Sequence, residues 1–236
     1  MSFWQITMEL LGGFGLTCLL FLLTLILAIP LGLGISFCTM SKFGPIRMVS
    51  KVFVWIIRGI PLMLFIFMIY YLPGILGSSS LNVFNQLDRY FTHLAGSREM
   101  LYYGRFIAVL IAFVINYACY FSEIFRGGIE SISRGQYEAG QVLGMTKGQI
   151  FRKIILKQVI KRILPPMSNE IITLVKDTAL ANAIAIPEII QRAEQMASAQ
   201  ALIWPIFYTG AFYLLFVGGV TLLLGYAEKN LSYFKA

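Results

Sequence analysis

Residues 10–41 contain no Asp, Glu, Lys or Arg. A helix needs roughly 20 residues to cross about 30 Å of hydrocarbon, so this uncharged run is long enough for a first membrane span over residues 10–40. Backbone in lipid has to satisfy its own hydrogen bonds, which a helix does within one segment. No Lys or Arg precedes the run, so it lacks the basic start of a cleaved signal peptide and is expected to stay as a span. At 58% hydrophobic and 13% charged residues, the chain is too apolar for an ordinary soluble domain. Further apolar stretches at 47–76, 103–125, 163–190 and 203–226 give an all-α polytopic membrane protein with five transmembrane helices, read as one domain over residues 1–236.

The formal charge of +8 is explained by topology rather than by nucleic acid. Lys42, Arg47 and Lys51 lie in the first connection. Arg126, Arg134, Lys147, Arg152, Lys153, Lys157, Lys161 and Arg162 surround the segment 133–162, and Lys229 and Lys235 close the chain. Alternate connections hold only Arg89, Arg98, Arg105 and Arg192. The positive-inside rule then places the N-terminus outside and the segment 133–162 with the C-terminus in the cytoplasm. Residues 77–104 are Ser-rich and mixed in charge, as an external loop would be. They contain His93, the only His in the chain, with no matched nucleophile or carboxylate to form a catalytic set. Cys18, Cys38 and Cys119 sit in apolar context without paired spacing and are read as packing residues, with no metal site.

Ionisable residues inside the spans cost several kcal/mol unless partnered or exposed to water, so they mark candidate sites. Arg58 stands beside Gly59 and Pro61 in the second span. It lies about 10 Å along a helix from Lys51, and both an interfacial anchor and a pathway role fit it. Glu123 in the third span is three residues from Arg126, a spacing that fits a mutual ion pair as well as a pathway position. The fourth span carries Asn169, Glu170, Lys176, Asp177 and Asn182, and such a helix belongs against protein or water. Glu170, Thr173, Asp177 and Ala181 share one helical stripe. Measured from Pro165, Asp177 lies about 18 Å along the helix, near the bilayer midplane where a solute would be handled. Lining a pathway is preferred here over neutralising neighbouring spans.

The segment 133–162 is polar and reads as two short helices. Ser133-x-x-Gln136 and Thr146-x-x-Gln149 are capping boxes, and Gly144 stands where a left-handed helix terminus is wanted. The second helix is expected to run unbroken to Leu164. Nothing of the GxxxxGK[ST] type occurs, so the chain is not expected to hydrolyse ATP itself.

With Glu138-Ala139-Gly140 followed by Gly144, this insert resembles the coupling motif of the permease subunits of bacterial ABC importers. Arg58-Gly59-Ile60-Pro61, the run from Tyr120 to Gly128, Leu164-Pro165-Pro166 and Lys176-Asp177-Thr178-Ala179-Leu180 point to the polar amino acid uptake branch. The resemblance covers roughly residues 10–230 and departs in three places. Gly140 replaces the usual Ala, Lys157 the usual Pro, and the segment 77–104 is long. It implies a type I ABC importer permease fold and a cytoplasmic insert that couples to a separate ATPase dimer through Glu138, Ala139, Gly140 and Gly144. It also implies ATP and Mg held on that ATPase with no cofactor in this chain, a second permease subunit, an extracytoplasmic binding protein and a place in the bacterial inner membrane. Substrate-pathway candidates are Arg58, Glu123, Glu170, Thr173, Lys176 and Asp177. An ion-coupled secondary transporter is the alternative, disfavoured because no internal repeat is visible. A membrane enzyme would need a convergent acid, base or metal set.

Overall fold

The structure, a computed structural model, describes residues 2–76, 83–95 and 102–231. Every regular element among them is helical. The first helix, α1 (Phe3–Thr39), starts on a reciprocal Ser2–Gln5 capping box and continues through Pro30. Of the four buried hydroxyls in this apolar helix, Thr24 finds no partner among the described residues and three bond back to the helix's own carbonyls, Thr17 to Gly13 at 3.3 Å, Ser36 to Leu33 at 2.7 Å and Thr39 to Ser36 at 2.9 Å. That is how a membrane helix tolerates them.

The stretch read as one second span is two helices, α2 (Gly44–Gly59) and α3 (Leu62–Leu76), bent by 105°. Pro61 forces the bend, since a residue before proline avoids the helical region; Ile60 is extended, with φ −96° and ψ 129°. Inside the segment read as an external loop lies α4 (Val83–Ala95). The rest of that loop, residues 77–82 and 96–101, lies outside the described residues, as does the side chain of His93.

At the centre stands α5 (Tyr103–Glu130), packed against α1, α3, α4 and the later helix α8 (Leu156–Asp177). Among the most apolar 18 residues, 56% are buried in α5, 28% in α1 and only 6% in α10 (Trp204–Leu231), which places α10 at the rim. These three helices are long and apolar enough to cross a membrane, and the bent α2–α3 pair qualifies jointly.

The insert forms α6 (Arg134–Val142) and α7 (Lys147–Ile150). Gly144 adopts φ +70°, Met145 N–H donates to the Gly140 carbonyl at 3.0 Å and Gly144 N–H to that of Gln141 at 2.9 Å. This pair of hydrogen bonds around a left-handed glycine is a Schellman terminus. The Thr146–Gln149 capping box forms. The Ser133–Gln136 box does not: the Gln136 backbone N–H donates to the Ser133 carbonyl at 3.1 Å rather than to its hydroxyl, and the Gln136 side chain accepts from Gln158 at 3.1 Å. Gly140 explains its own departure from the usual Ala, as a Cβ there would stand 2.7 Å from Ile150 Cγ1. Ile150 joins Ile132, Ile155 and Val159 in a small core beneath the insert.

Beyond α7 the helix does not run on regularly. A π turn (Phe151–Ile155) precedes α8 (Leu156–Asp177), rotating the later residues relative to the insert. The α-helix ends at Asp177, a 3₁₀ helix takes over (Thr178–Ile184), and α9 (Ile189–Gln200) begins on Glu188. Both Glu188 carboxylate oxygens accept from the first backbone N–H groups of α9, at 2.9 and 3.0 Å.

Of Gly32 and Gly34 in α1, only Gly32 lies against a neighbouring helix. A Cβ there would meet the Ala118 carbonyl oxygen at 2.8 Å and Phe121 Cβ at 2.9 Å, while Gly34 faces open space. Gly32→Val is therefore expected to destabilise the detergent-solubilised protein by about 1–3 kcal/mol and Gly34→Val to leave thermal unfolding unchanged; equal effects would remove the close contact from the account.

Candidate functional site

Where the α2–α3 elbow meets α5 and α8, the chain borders a half-open cavity of about 560 Å³. Each wall has a local cause. The elbow contributes Arg58 to Leu62, because Pro61 turns the backbone there. From α5 come Asn116, Tyr117 and Tyr120, about one turn of helix. From α8 come Glu170, Thr173 and Asp177, the 3-and-7 spacing of a single stripe, with Leu180 just beyond it.

Two carboxylates on α8 thus share a cavity with one guanidinium on α2. Tyr117 O–H donates to Asp177 Oδ2 at 2.7 Å, fixing that carboxylate. Thr173 O–H is occupied by the Asn169 carbonyl at 3.0 Å. Arg58 lies over the Tyr120 ring, 4.9 Å from its centroid, a cation–π contact. Its Nη1 is 3.8 Å from Glu123 Oε2. A volume of this size falls in the roughly 300–1,000 Å³ range of small-molecule pockets.

Of the six pathway candidates, Arg58, Glu170, Thr173 and Asp177 line the cavity. Lys176 does not: one position from Asp177 is a 100° rotation, and its side chain is exposed elsewhere. Glu123 lines an adjoining cleft of about 240 Å³ with Lys51, Val54, Trp55, Arg58 and Arg126. It is gripped by Arg126 through Nε at 3.2 Å and Nη2 at 2.5 Å, while Arg126 Nη1 reaches Glu130 at 2.7 Å. The expected Glu123–Arg126 pair is present, and Arg58 joins it at longer range. Asn116, Tyr117 and Tyr120 also line the cavity and are not among the pathway candidates; polar side chains in an otherwise apolar span are the signal the sequence offers for them.

On the insert, Glu138 and Ala139 are exposed on α6, Gly140 is turned inward and Gly144 makes the elbow. Val142 and Leu143 at the tip are 87% and 76% exposed. Two bare apolar side chains beside an exposed carboxylate form a surface suited to another protein's groove.

Residues 25–233 match the family of binding-protein-dependent transport system inner membrane components. The L-cystine transport system permease protein TcyB of Bacillus subtilis is 36% identical over 84% of this chain and 73% of that protein. The arginine transport system permease protein ArtQ of the same organism is 30% identical over 94% of this chain and 92% of its own length. Among solved structures, one described as an amino acid ABC transporter with histidines superposes with a TM-score of 0.77 at 27% identity, covering 96% of this chain and 95% of that one.

Tyr117 is almost wholly buried, and its hydroxyl is committed to Asp177. Removing one partner of such a bond costs about 1–2 kcal/mol. Tyr117→Phe should lower thermal stability by that amount, and no loss would mean that water replaces the phenol at Asp177.

Proposed function

The chain belongs to the family of binding-protein-dependent transport system inner membrane components and is a permease subunit of an amino acid ABC importer, and from that footing we propose that the cavity between the α2–α3 elbow, α5 and α8 is where the amino acid crosses. The observation that carries this is the opposition of Arg58 to Glu170 and Asp177 across one space. A free amino acid is a zwitterion. Its carboxylate suits the planar guanidinium fork, and its ammonium suits the carboxylates. The surplus carboxylate leaves room for a cationic side chain as well. Cystine and arginine, for which the two relatives are named, and the histidines of the similar structure supply the first compounds to test.

As a family member the chain is a multi-pass inner membrane protein that works with an ATPase and a binding protein. In our reading the N-terminus lies outside and the insert lies in the cytoplasm, supported by the basic residues Arg134, Lys147, Arg152 and Lys153 around it. There Glu138, with Val142 and Leu143, docks into an ATPase dimer that holds ATP and Mg. Closing the two ATPases then shifts the permease between states through contacts that differ in each. A second permease chain, the same or similar, completes the enclosure. Exposure of Arg58 and Thr173 supports this, because one chain leaves the cavity open on that side.

The test is uptake of labelled L-cystine, L-arginine and L-histidine in cells with and without the gene. We expect one of them to depend on the gene and Asp177→Asn to cut that uptake at least tenfold, about 1.4 kcal/mol. Gene-dependent uptake untouched by Asp177→Asn would move recognition out of this cavity. Glu138→Lys should abolish uptake while membrane insertion stays normal, and unchanged uptake would remove Glu138 from the coupling.

A further inference from the structure

Arg58 borders two spaces at once. It lines the 560 Å³ cavity with Glu170 and Asp177, and it lines the 240 Å³ cleft with Lys51, Glu123 and Arg126. Along α5 the cavity is marked by Asn116, Tyr117 and Tyr120 and the cleft by Glu123 and Arg126, so the cleft lies on the side that leads to the insert. Arg58 therefore stands at the threshold between the amino acid cavity and the coupling end.

The two members of the Arg58–Glu123 pair are held very differently. Glu123 is fixed by two hydrogen bonds from Arg126, which is itself anchored by Glu130. Arg58 has five N–H donors, yet among the described residues it donates no hydrogen bond. Its contacts are the Tyr120 ring and Glu123 at 3.8 Å, and its side chain is 40% exposed. It also sits in the last turn of α2, next to Gly59 and the break at Ile60. A fixed carboxylate beside a half-exposed guanidinium that donates no hydrogen bond among the described residues can make a two-position element.

We propose that Arg58 is a switch between two carboxylates: that of the amino acid in the cavity and that of Glu123 in the cleft, with Glu123 competing for Arg58 and so promoting release toward the insert. This rests on the cavity assignment above. Glu123 is then a positioning residue. Its removal has a sign opposite to that of ordinary damage, because losing a competitor tightens substrate binding while slowing release.

The experiment uses the permease with its ATPase in lipid nanodiscs, measuring equilibrium binding and transport of labelled L-cystine, L-arginine and L-histidine. For a partly exposed pair of this kind, Glu123→Gln should lower Kd roughly three- to fivefold and lower kcat, so that KM and kcat fall together. In an Arg58→Gln background the same change should do nothing further, which makes the two positions non-additive. If Glu123→Gln does not accumulate, Glu123→Asp, which withdraws the charge by one methylene, should tighten binding in the same direction. Weaker or unchanged binding in the variants, with wild-type binding intact and lost in Asp177→Asn, overturns the switch and leaves the cavity assignment standing. No binding of any of the three by the wild-type complex overturns the cavity assignment and the switch with it.

Discussion

The close approach of α1 to α5 at Gly32 sets the position of everything else. Lipid tails are as apolar as leucine side chains, so helices in a bilayer are held by contact and by the fit of small residues rather than by exclusion of water. With no Cβ at Gly32, the backbone of α1 lies against the carbonyl of Ala118 and the base of Phe121. That contact holds α5 in the middle of the bundle, where its other faces receive α3, α4 and α8. Because α5 is fixed, Asn116, Tyr117 and Tyr120 form a rigid wall, and the polar side of α8 has something constant to face.

The cost of charge in hydrocarbon is met by placing each ionisable group where another group or an aqueous cavity can meet it. Asp177 receives a phenol, Glu123 a guanidinium and Arg58 an aromatic face, and Glu170 opens onto the same cavity. Irregular backbone at membrane depth follows the same rule, being tolerated where it borders protein or water. The Ile60 break lines the cavity, and α8 gives way to a 3₁₀ helix directly after Asp177.

Much of this was legible in the chain itself, because spans and stripes are local patterns. The uncharged run at 10–41, the 3-and-7 spacing of Glu170, Thr173 and Asp177, and Gly144 at the elbow all follow from periodicity and backbone preference. What escaped depends on tertiary partners. Pro61 announced an irregularity, yet only the folded chain shows a 105° turn that carries Arg58 over to α8. Lys176 was grouped with Asp177 although a helix separates neighbours by 100°. Gln136 left its capping box for Gln158, a residue 22 positions away. The helix expected to run unbroken to Leu164 stays helical throughout, but it takes a π turn at Phe151–Ile155 that no proline announces.

The peripheral α10 has a further consequence. Its 28 residues make a rod of about 42 Å in a slab of about 30 Å, so it has to lean or project. Its contacts with α8 and α9 set that lean, and the mismatch with the bilayer adds to it. Bilayer thickness thereby becomes a variable of the machine: a thinner membrane lays α10 over and a thicker one stands it up. The residues through which α10 touches α8 and α9 then feel the composition of the surrounding membrane.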